Sequence, residues 1–514
     1  MSGLGFLIME LKMRRVFCPV LMLLATVTRA DAQPRGADAR TIARLVDSLA
    51  TRAMAERLAP ALGVAITMDG RTIYSRAFGM ADATKGIPAN DHTLWYLAST
   101  SKSFTGFGIA LLVDRGVLKL DAQITSLLSG VAWNPEVHVD SLTLANFLSH
   151  THHINDNAVV MSAAFTGEIP EEKWPSLIAL AGRERTDDLI YSNFGYNVAA
   201  MVIDRLRPEG WRAFLKGNVF KPAGMRETYS RVSGIDARRI AMPHGIGASG
   251  RYYTEPFFKT DRTMNSAGGQ IAALSDLARW TIVQMDSGRI DGKRVFPARA
   301  VALSHRLIAK QTRDQSQRFA YFDREGWGAG WDLGTYNGER MVSRFGSYGN
   351  TRSHLSFLPN RRIGAVVMST GGPSVLTDII AAYAYDLEAG RDYAADSANA
   401  RLTVLTQRMA GAGPARARQD SIRAARQAQP LKHPIASFAG TYEAPGYGRV
   451  VITERVGKLD YRWGALYGPV EIYDASKDEM RIEIVGSGNV VSFSFPQDGP
   501  ASSISLQGVK FTRR

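Results

Sequence analysis

The sequence predicts an α+β body followed by a small all-β unit, and three observations carry that prediction. Strand patterns lie near both ends of the first 395 residues, helical patterns fill the space between them, and beyond residue 435 short apolar–polar alternations are separated by turn signals. The expected division is a leader at 1–32, a body at 33–395, an Arg/Ala-rich linker at 396–434 and a C-terminal all-β domain at 435–514.

Taken in order, Lys12, Arg14 and Arg15 precede the apolar run Val16 to Val27, and Ala30-Asp31-Ala32 places small residues where a signal peptidase cuts. The run is too short for the ~20 residues of a membrane span. A periplasmic or secreted protein is expected, cleaved near Ala32 and without stable membrane insertion afterwards; Met13 is a second candidate start. The lone cysteine, Cys18, lies inside this leader, so the mature chain is expected to hold no disulfide, thiol nucleophile or thiolate metal site.

Thr41 to Leu58 reads as a helix, and Leu62 to Ala77 as two strands joined at Asp69-Gly70, a pair suited to a tight hairpin turn. Ser99 to Asp114 has helical spacing, with Phe104, Phe107, Leu111 and Leu112 on one side and Gly116 to end it. Leu142 to Gly224 is mainly helical in pattern. Leu355 to Leu358 and Ile363 to Met368 form a second hairpin around Pro359-Asn360, so the terminal strands of the body are expected to share one sheet. The stretch 396–434 is rich in Ala, Arg and Gln, with Arg401, Arg408, Arg416, Arg418, Arg423 and Arg426, and reads as a partly helical linker. Phe438 to Thr512 then alternates in the manner of a sandwich or barrel.

The composition, 45% hydrophobic and 21% charged, is that of a globular protein. The formal charge of +14 favours anionic surfaces or substrates at long range, but neither zinc-finger spacing nor an RNA-binding aromatic signature accompanies it, and no nucleic-acid partner is expected.

One chemical motif stands out. Ser99-Thr100-Ser101-Lys102 opens the expected helix, where residues three apart share a face and a lysine amine reaches a serine hydroxyl. The helix N-terminus adds N–H groups and a positive dipole end to any charge developing on an attacked carbonyl. By itself the pair is equally a polar helix cap followed by a surface lysine. A G-x-S-x-G elbow is missing, because Gly346-Ser347-Tyr348-Gly349 has the wrong spacing. The cluster His150-Thr151-His152-His153 with Asp156 matches a zinc-hydrolase pattern only in part, its acidic residue and last histidine being out of place, so it is read as an unusual polar rim of a cleft. Neither metal nor cofactor is expected.

The surroundings of Ser99 resolve the ambiguity. Leu97-Ala98-Ser99-Thr100-Ser101-Lys102-Ser103-Phe104-Thr105, with Leu111, Gly116, Leu118 and Leu120-Asp121, resembles the first active-site motif of class C β-lactamases, serine D-alanyl-D-alanine carboxypeptidases, D-aminopeptidases and related esterases. Further landmarks follow in order: Leu142-Thr143 to His150-Thr151, Tyr191-Ser192-Asn193, Pro222-Ala223-Gly224-Met225, Ala267-Gly268-Gly269 with Ser275-Asp276-Leu277-Ala278, and Gly330-Trp331. The resemblance spans residues 41 to 390. It implies a β-lactamase/transpeptidase-like fold, an antiparallel sheet flanked by helices plus an all-helical region, with a small barrel appended. It also implies a serine hydrolase with Ser99 as nucleophile, Lys102 as base and Tyr191 as second proton-transfer group. Asn193 is then expected on the substrate amide or on Lys102.

The third motif departs from the family. Arg344-Phe345-Gly346 stands where relatives carry K-T-G or H-x-G, and an arginine fork differs from a point-charge ammonium. Arg344 and Gly346 are expected to line the substrate, with Arg344 gripping a carboxylate, and Ser347 to share an oxyanion hole with Ser99. The expected substrates are small peptides, esters or β-lactams, with peptidase or esterase ranked above true β-lactamase; the rival is a non-hydrolytic penicillin- or peptidoglycan-binding receptor. The C-terminal domain is expected to wall or gate the cleft or to drive homo-oligomer assembly.

Overall fold

The computed structural model describes residues 36–155, 157–184, 189–247, 249–256, 259–312 and 322–514. The expected signal peptide, Cys18 and Asp156 lie outside the described residues.

The body is built on a nine-stranded sheet whose strands come from both ends of the body. In chain order these are β1 (Ala61–Met68), β2 (Arg71–Asp82), β3 (Ile87–Pro88), β4 (Ala309–Lys310), β5 (Asp323–Trp327), β6 (Asp332–Tyr336), β7 (Glu339–Tyr348), β8 (Thr351–Leu358) and β9 (Ile363–Thr370). Their order across the sheet is β4-β5-β6-β7-β8-β9-β1-β2-β3. The closing contact is antiparallel, Ala61 opposite Thr370 and Met68 opposite Ile363. Asp69 and Gly70 turn β1 into β2 at φ 50° and 75°, the left-handed angles a two-residue hairpin needs.

Every residue of β1 and β9 is buried, so these strands read as continuous apolar runs, because both faces of the sheet are covered. One face carries Leu62, Val64 and Ile66 against α1 (Ala39–Ala55) and α5 (Leu376–Glu388). The other turns Ala65, Val366 and Met368 towards α2 (Lys102–Asp114), α3 (Phe194–Leu206) and α4 (Leu274–Met285). There Phe104 and Phe107 meet Trp280 at 5.0 and 5.3 Å between ring centroids. α2 is buried nearly all round, and Gly106 permits this: a Cβ there would lie 2.3 Å from the Ala329 carbonyl oxygen.

The stretch read as a linker is one helix, α6 (Ala394–Gln427), of 34 residues. Ala, Arg and Gln are strong helix formers, and only Ala394, Ala398, Leu402 and Leu405 are buried, so most of its length shows no apolar stripe. Its far end reaches the C-terminal domain, where Arg423 pairs with Glu471 at 2.6 Å. That domain closes as an eight-stranded barrel from Gly440–Ala444 round to Val509–Arg513, with Tyr442 opposite Arg513. Alternate residues fill it, Leu459, Tyr461 and Trp463 on one strand and Met480, Ile482 and Ile484 on another.

The barrel docks on the helical region. The Ala465 N–H donates to the Thr166 carbonyl at 2.6 Å, and the Tyr467 hydroxyl donates to the Pro256 carbonyl at 3.1 Å. Barrel side chains continue into an apolar cluster with Tyr96, Ala98, Met161, Met264 and Tyr348. Among the described residues no helix is long and apolar enough to cross a membrane.

Candidate active site

Ser99 sits in a single 3₁₀ turn, Ala98–Ser101, that leads directly into α2. The preceding Ala98 has φ 46°, a left-handed angle that is strained for a residue with a Cβ. That sharp bend presents a half-buried Ser99 at the helix N-terminus. Thr100 stitches the turn to the sheet, its Oγ1 bonding the Arg344 carbonyl at 3.2 Å and Ser353 Oγ at 2.7 Å. Gly346 lets β7 come this close, since a Cβ there would stand 2.1 Å from the Leu97 carbonyl oxygen and 2.9 Å from the Ser99 nitrogen.

Lys102 is wholly buried. Its Nζ lies 3.1 Å from Ser99 Oγ, 2.6 Å from Asn193 Oδ1 and 2.8 Å from the Ala267 carbonyl oxygen. Burial, and after it the Arg344 guanidinium, hold the lysine well below its usual pKa, while Asp332 pulls the other way. The two shorter bonds go to oxygens that only accept. Once that amine has lost its proton, two N–H groups serve those oxygens and one lone pair remains for the Ser99 hydroxyl, 3.1 Å away.

Tyr191 enters from the loop before α3, where Ser192 Oγ accepts the Phe194 N–H at 3.0 Å. The tyrosine is 43% exposed, and its hydroxyl donates to Ser99 Oγ at 2.6 Å. The structure thus gathers Ser99, Lys102, Tyr191 and Asn193, and of the two tasks expected of Asn193 it performs the one on Lys102.

Arg344 departs from its expected place. Its side chain is turned inward, only 2% exposed. Nε donates to the Ser99 carbonyl at 2.9 Å, Nη1 to Asp332 Oδ2 at 3.2 Å, and Nη2 to the Tyr191 hydroxyl at 2.9 Å. A fork satisfied in three directions by protein is a scaffold for the reacting groups and a poor grip for a substrate carboxylate. Its charge persists because Tyr191 and Asp332 outweigh the burial that opposes it. Gly346 and Ser347 follow on the part of β7 that has no neighbour on one side, since β6 pairs only as far as Asp332 opposite Ser343.

Sequence reasoning missed Asp332 and the Ala267 carbonyl as partners of these groups; the one signal was that Asp332 directly follows the Gly330-Trp331 landmark and Ala267 opens Ala267-Gly268-Gly269. The expected rim of histidines is also different. His152 is buried, stacked on Phe147 at 5.1 Å, with Nδ1 accepting the Ile154 N–H at 3.0 Å. His150 is fully buried beside Tyr191. Among the described residues no group of three or more His, Cys, Asp or Glu side chains is placed to hold a metal ion.

Residues 46–390 match the Beta-lactamase family. Penicillin-binding protein 4 of Amycolatopsis lactamdurans is 25% identical over 399 residues, 76% of this chain and 95% of that protein. Two solved structures share the fold. The octameric penicillin-binding protein homologue from Pyrococcus abyssi matches with TM-score 0.56 and 18% identity over 91% of this chain and 99% of its own. D-amino acid amidase from Ochrobactrum anthropi matches with TM-score 0.55 and 18% identity over 70% and 99%. With a family match over more than half its length, this chain belongs to the beta-lactamase family and is a serine hydrolase of that family.

Proposed function

We propose that the protein hydrolyses amide or ester bonds of small acyl substrates, D-amino-acid amides and peptides foremost, through a Ser99 acyl-enzyme. The observation that carries this reading is a set of hydrogen bonds converging on Ser99 Oγ: Arg344 donates to Tyr191, Tyr191 donates to Ser99, and Lys102 Nζ lies 3.1 Å from the same oxygen, where an amine that has shed its proton can take the one on Ser99. As Ser99 Oγ bonds to the substrate carbonyl carbon, its proton passes to Lys102 Nζ. The carbonyl electrons move onto oxygen, which the Ser99 and Ser347 amides stabilise. The strand geometry supports Ser347 in this role. The two-residue loop Gly349-Asn350 makes Tyr348 and Thr351 the closing hydrogen-bonded pair, so the alternate residue, Ser347, turns its N–H to the open side of β7.

Tyr191 gives its proton to the leaving nitrogen or oxygen as the tetrahedral intermediate collapses, and Lys102 restores that proton. Water then attacks the ester in the reverse sense. Substrates of this class fit the names of two similar proteins, a penicillin-binding protein and a D-amino acid amidase. The leader at 1–32 supports action in the periplasm or outside the cell, and the octameric homologue supports assembly of this chain with itself.

The test is acylation and turnover together, with a fluorescent penicillin, a chromogenic short-chain ester and D-alanyl and D-phenylalanyl amides, alongside Ser99→Ala. Turnover of any substrate by the parent protein and of none by the variant is the expected result. Stable labelling without turnover would replace the hydrolase with a receptor, and equal activity of Ser99→Ala would remove Ser99 from the chemistry.

A further inference from the structure

We propose that His150 is the positioning residue that sets the Tyr191 hydroxyl over Ser99. This rests on the reading of Tyr191 as a proton-transfer group. His150 grips the chain on both sides of that tyrosine. Its carbonyl accepts the Ile190 N–H at 3.1 Å, and its ring Nδ1 accepts the Ser192 N–H at 3.2 Å. Between these two anchors the imidazole lies 4.6 Å from the Tyr191 ring, while Trp327 packs edge-on against the histidine at 4.6 Å. Tyr191 is 43% exposed; Arg344 and Ser99 hold its hydroxyl, and His150 holds the backbone on both sides of it.

Three features make the ring nitrogen the working part. First, His150 is 0% exposed, so no water can stand in for it as the Ser192 acceptor. Second, an Nδ1 that accepts carries no proton, which requires the neutral Nε2–H form; burial first, and the Arg344 guanidinium after it, keep the ring neutral. Third, the backbone at His150 has φ 63°, a left-handed angle that histidine and asparagine both adopt, so the acceptor can be kept while the ring is removed.

The experiment separates acceptor from ring. Asparagine places its Oδ1 where histidine has Nδ1 and suits the left-handed backbone, whereas phenylalanine keeps the ring and removes the acceptor. Hydrolysis of p-nitrophenyl acetate is measured for the parent protein, His150→Asn, His150→Phe, His150→Met and Tyr191→Phe. His150→Phe and His150→Met are expected to lose kcat by about tenfold to a hundredfold with KM changed less than about twofold, as for a displaced catalytic group. His150→Asn is expected to stay within about threefold of the parent kcat. His150→Met covers the case in which the phenylalanine variant fails to fold. Equal loss in the asparagine and phenylalanine variants, or parent kcat in His150→Phe or His150→Met, would overturn the proposal. An active Tyr191→Phe would instead overturn the role of Tyr191 itself, so the two failures are told apart.

Discussion

Two serines in this molecule sit at the head of a hydrogen-bonded series, and by distance alone the wrong one looks better prepared. Ser356 Oγ lies 2.6 Å from His354 Nε2, and His354 Nδ1 lies 2.7 Å from Asp378 Oδ1, the order serine–histidine–aspartate of a nucleophilic triad. Both residues face α5 from one side of β8, two positions apart, and the Tyr385 hydroxyl shares Ser356 Oγ at 2.6 Å. Ser356 and His354 are 0% exposed. Ser99 differs in place. It stands half-buried on a bend at the start of a helix, next to strand residues that lack a neighbour on one side. A polarised hydroxyl becomes a nucleophile only where a carbonyl can reach it and unpaired N–H groups await the oxyanion. Where those are missing, the same chemistry is a fastener between sheet and helix.

The comparison is broken most sharply by paired alanine variants. Ser99→Ala should lose turnover by roughly 10⁴-fold or more while unfolding like the parent. Ser356→Ala should keep kcat/KM and lose stability by about 1–3 kcal/mol, because His354 and Tyr385 are left with an unmet partner in the interior. Kinetics with urea melts on both variants decides it. Lost turnover in a folded Ser356→Ala would mean that the buried series reaches the active site.

A smaller effect sharpens the account of Ser99. Arg344 is one reason that Lys102 sheds its proton, and it also holds Tyr191. Removing its charge raises the Lys102 pKa, and an Asp332 left unpaired pushes the same way, so the base form vanishes at a higher pH. Arg344→Gln should therefore move the acid limb of kcat/KM upward and lower the plateau by about 10- to 1,000-fold, while Arg344→Lys keeps the limb near its parent position. An unmoved limb in Arg344→Gln would show that burial alone sets Lys102.

How much of this was legible in the sequence follows from distance along the chain. Ser99 and Lys102 are three residues apart on one helix face, so local spacing suffices. Tyr191 meets Ser99 across 92 residues, and only a family resemblance joins them. The expected α+β body with strands from both ends in one sheet is what the structure has, because turns such as Asp69-Gly70 are local signals. The direction of Arg344 was not legible: its partner Asp332 sits one strand away, and nothing in the sequence says that a cation on β7 points inward. His152 misled for the same reason, since a histidine stacked on Phe147 and one at a wet rim read alike. The helix α6 was legible only as a partly helical linker, its full length hidden because most of it covers no core.

The smallest effect concerns acid stability, and it distinguishes the buried series from other buried histidines. Burial pushes His152 and His305 down to about 3. Each is neutral in the fold and titrates near 6.5 when unfolded, so its contribution is complete above that value and is lost as pH falls from there towards 3, at roughly 1–1.5 kcal/mol per pH unit. His354 is also lowered by burial, but Asp378 beside it favours the imidazolium and offsets part of the push. Urea melts at pH 7 and pH 5 should therefore show the protein weaker at pH 5, with the difference narrowed more by His305→Gln than by His354→Gln. A greater narrowing in His354→Gln would mean that Asp378 fails to support a charged His354, and that the serine–histidine–aspartate series is held together by packing alone.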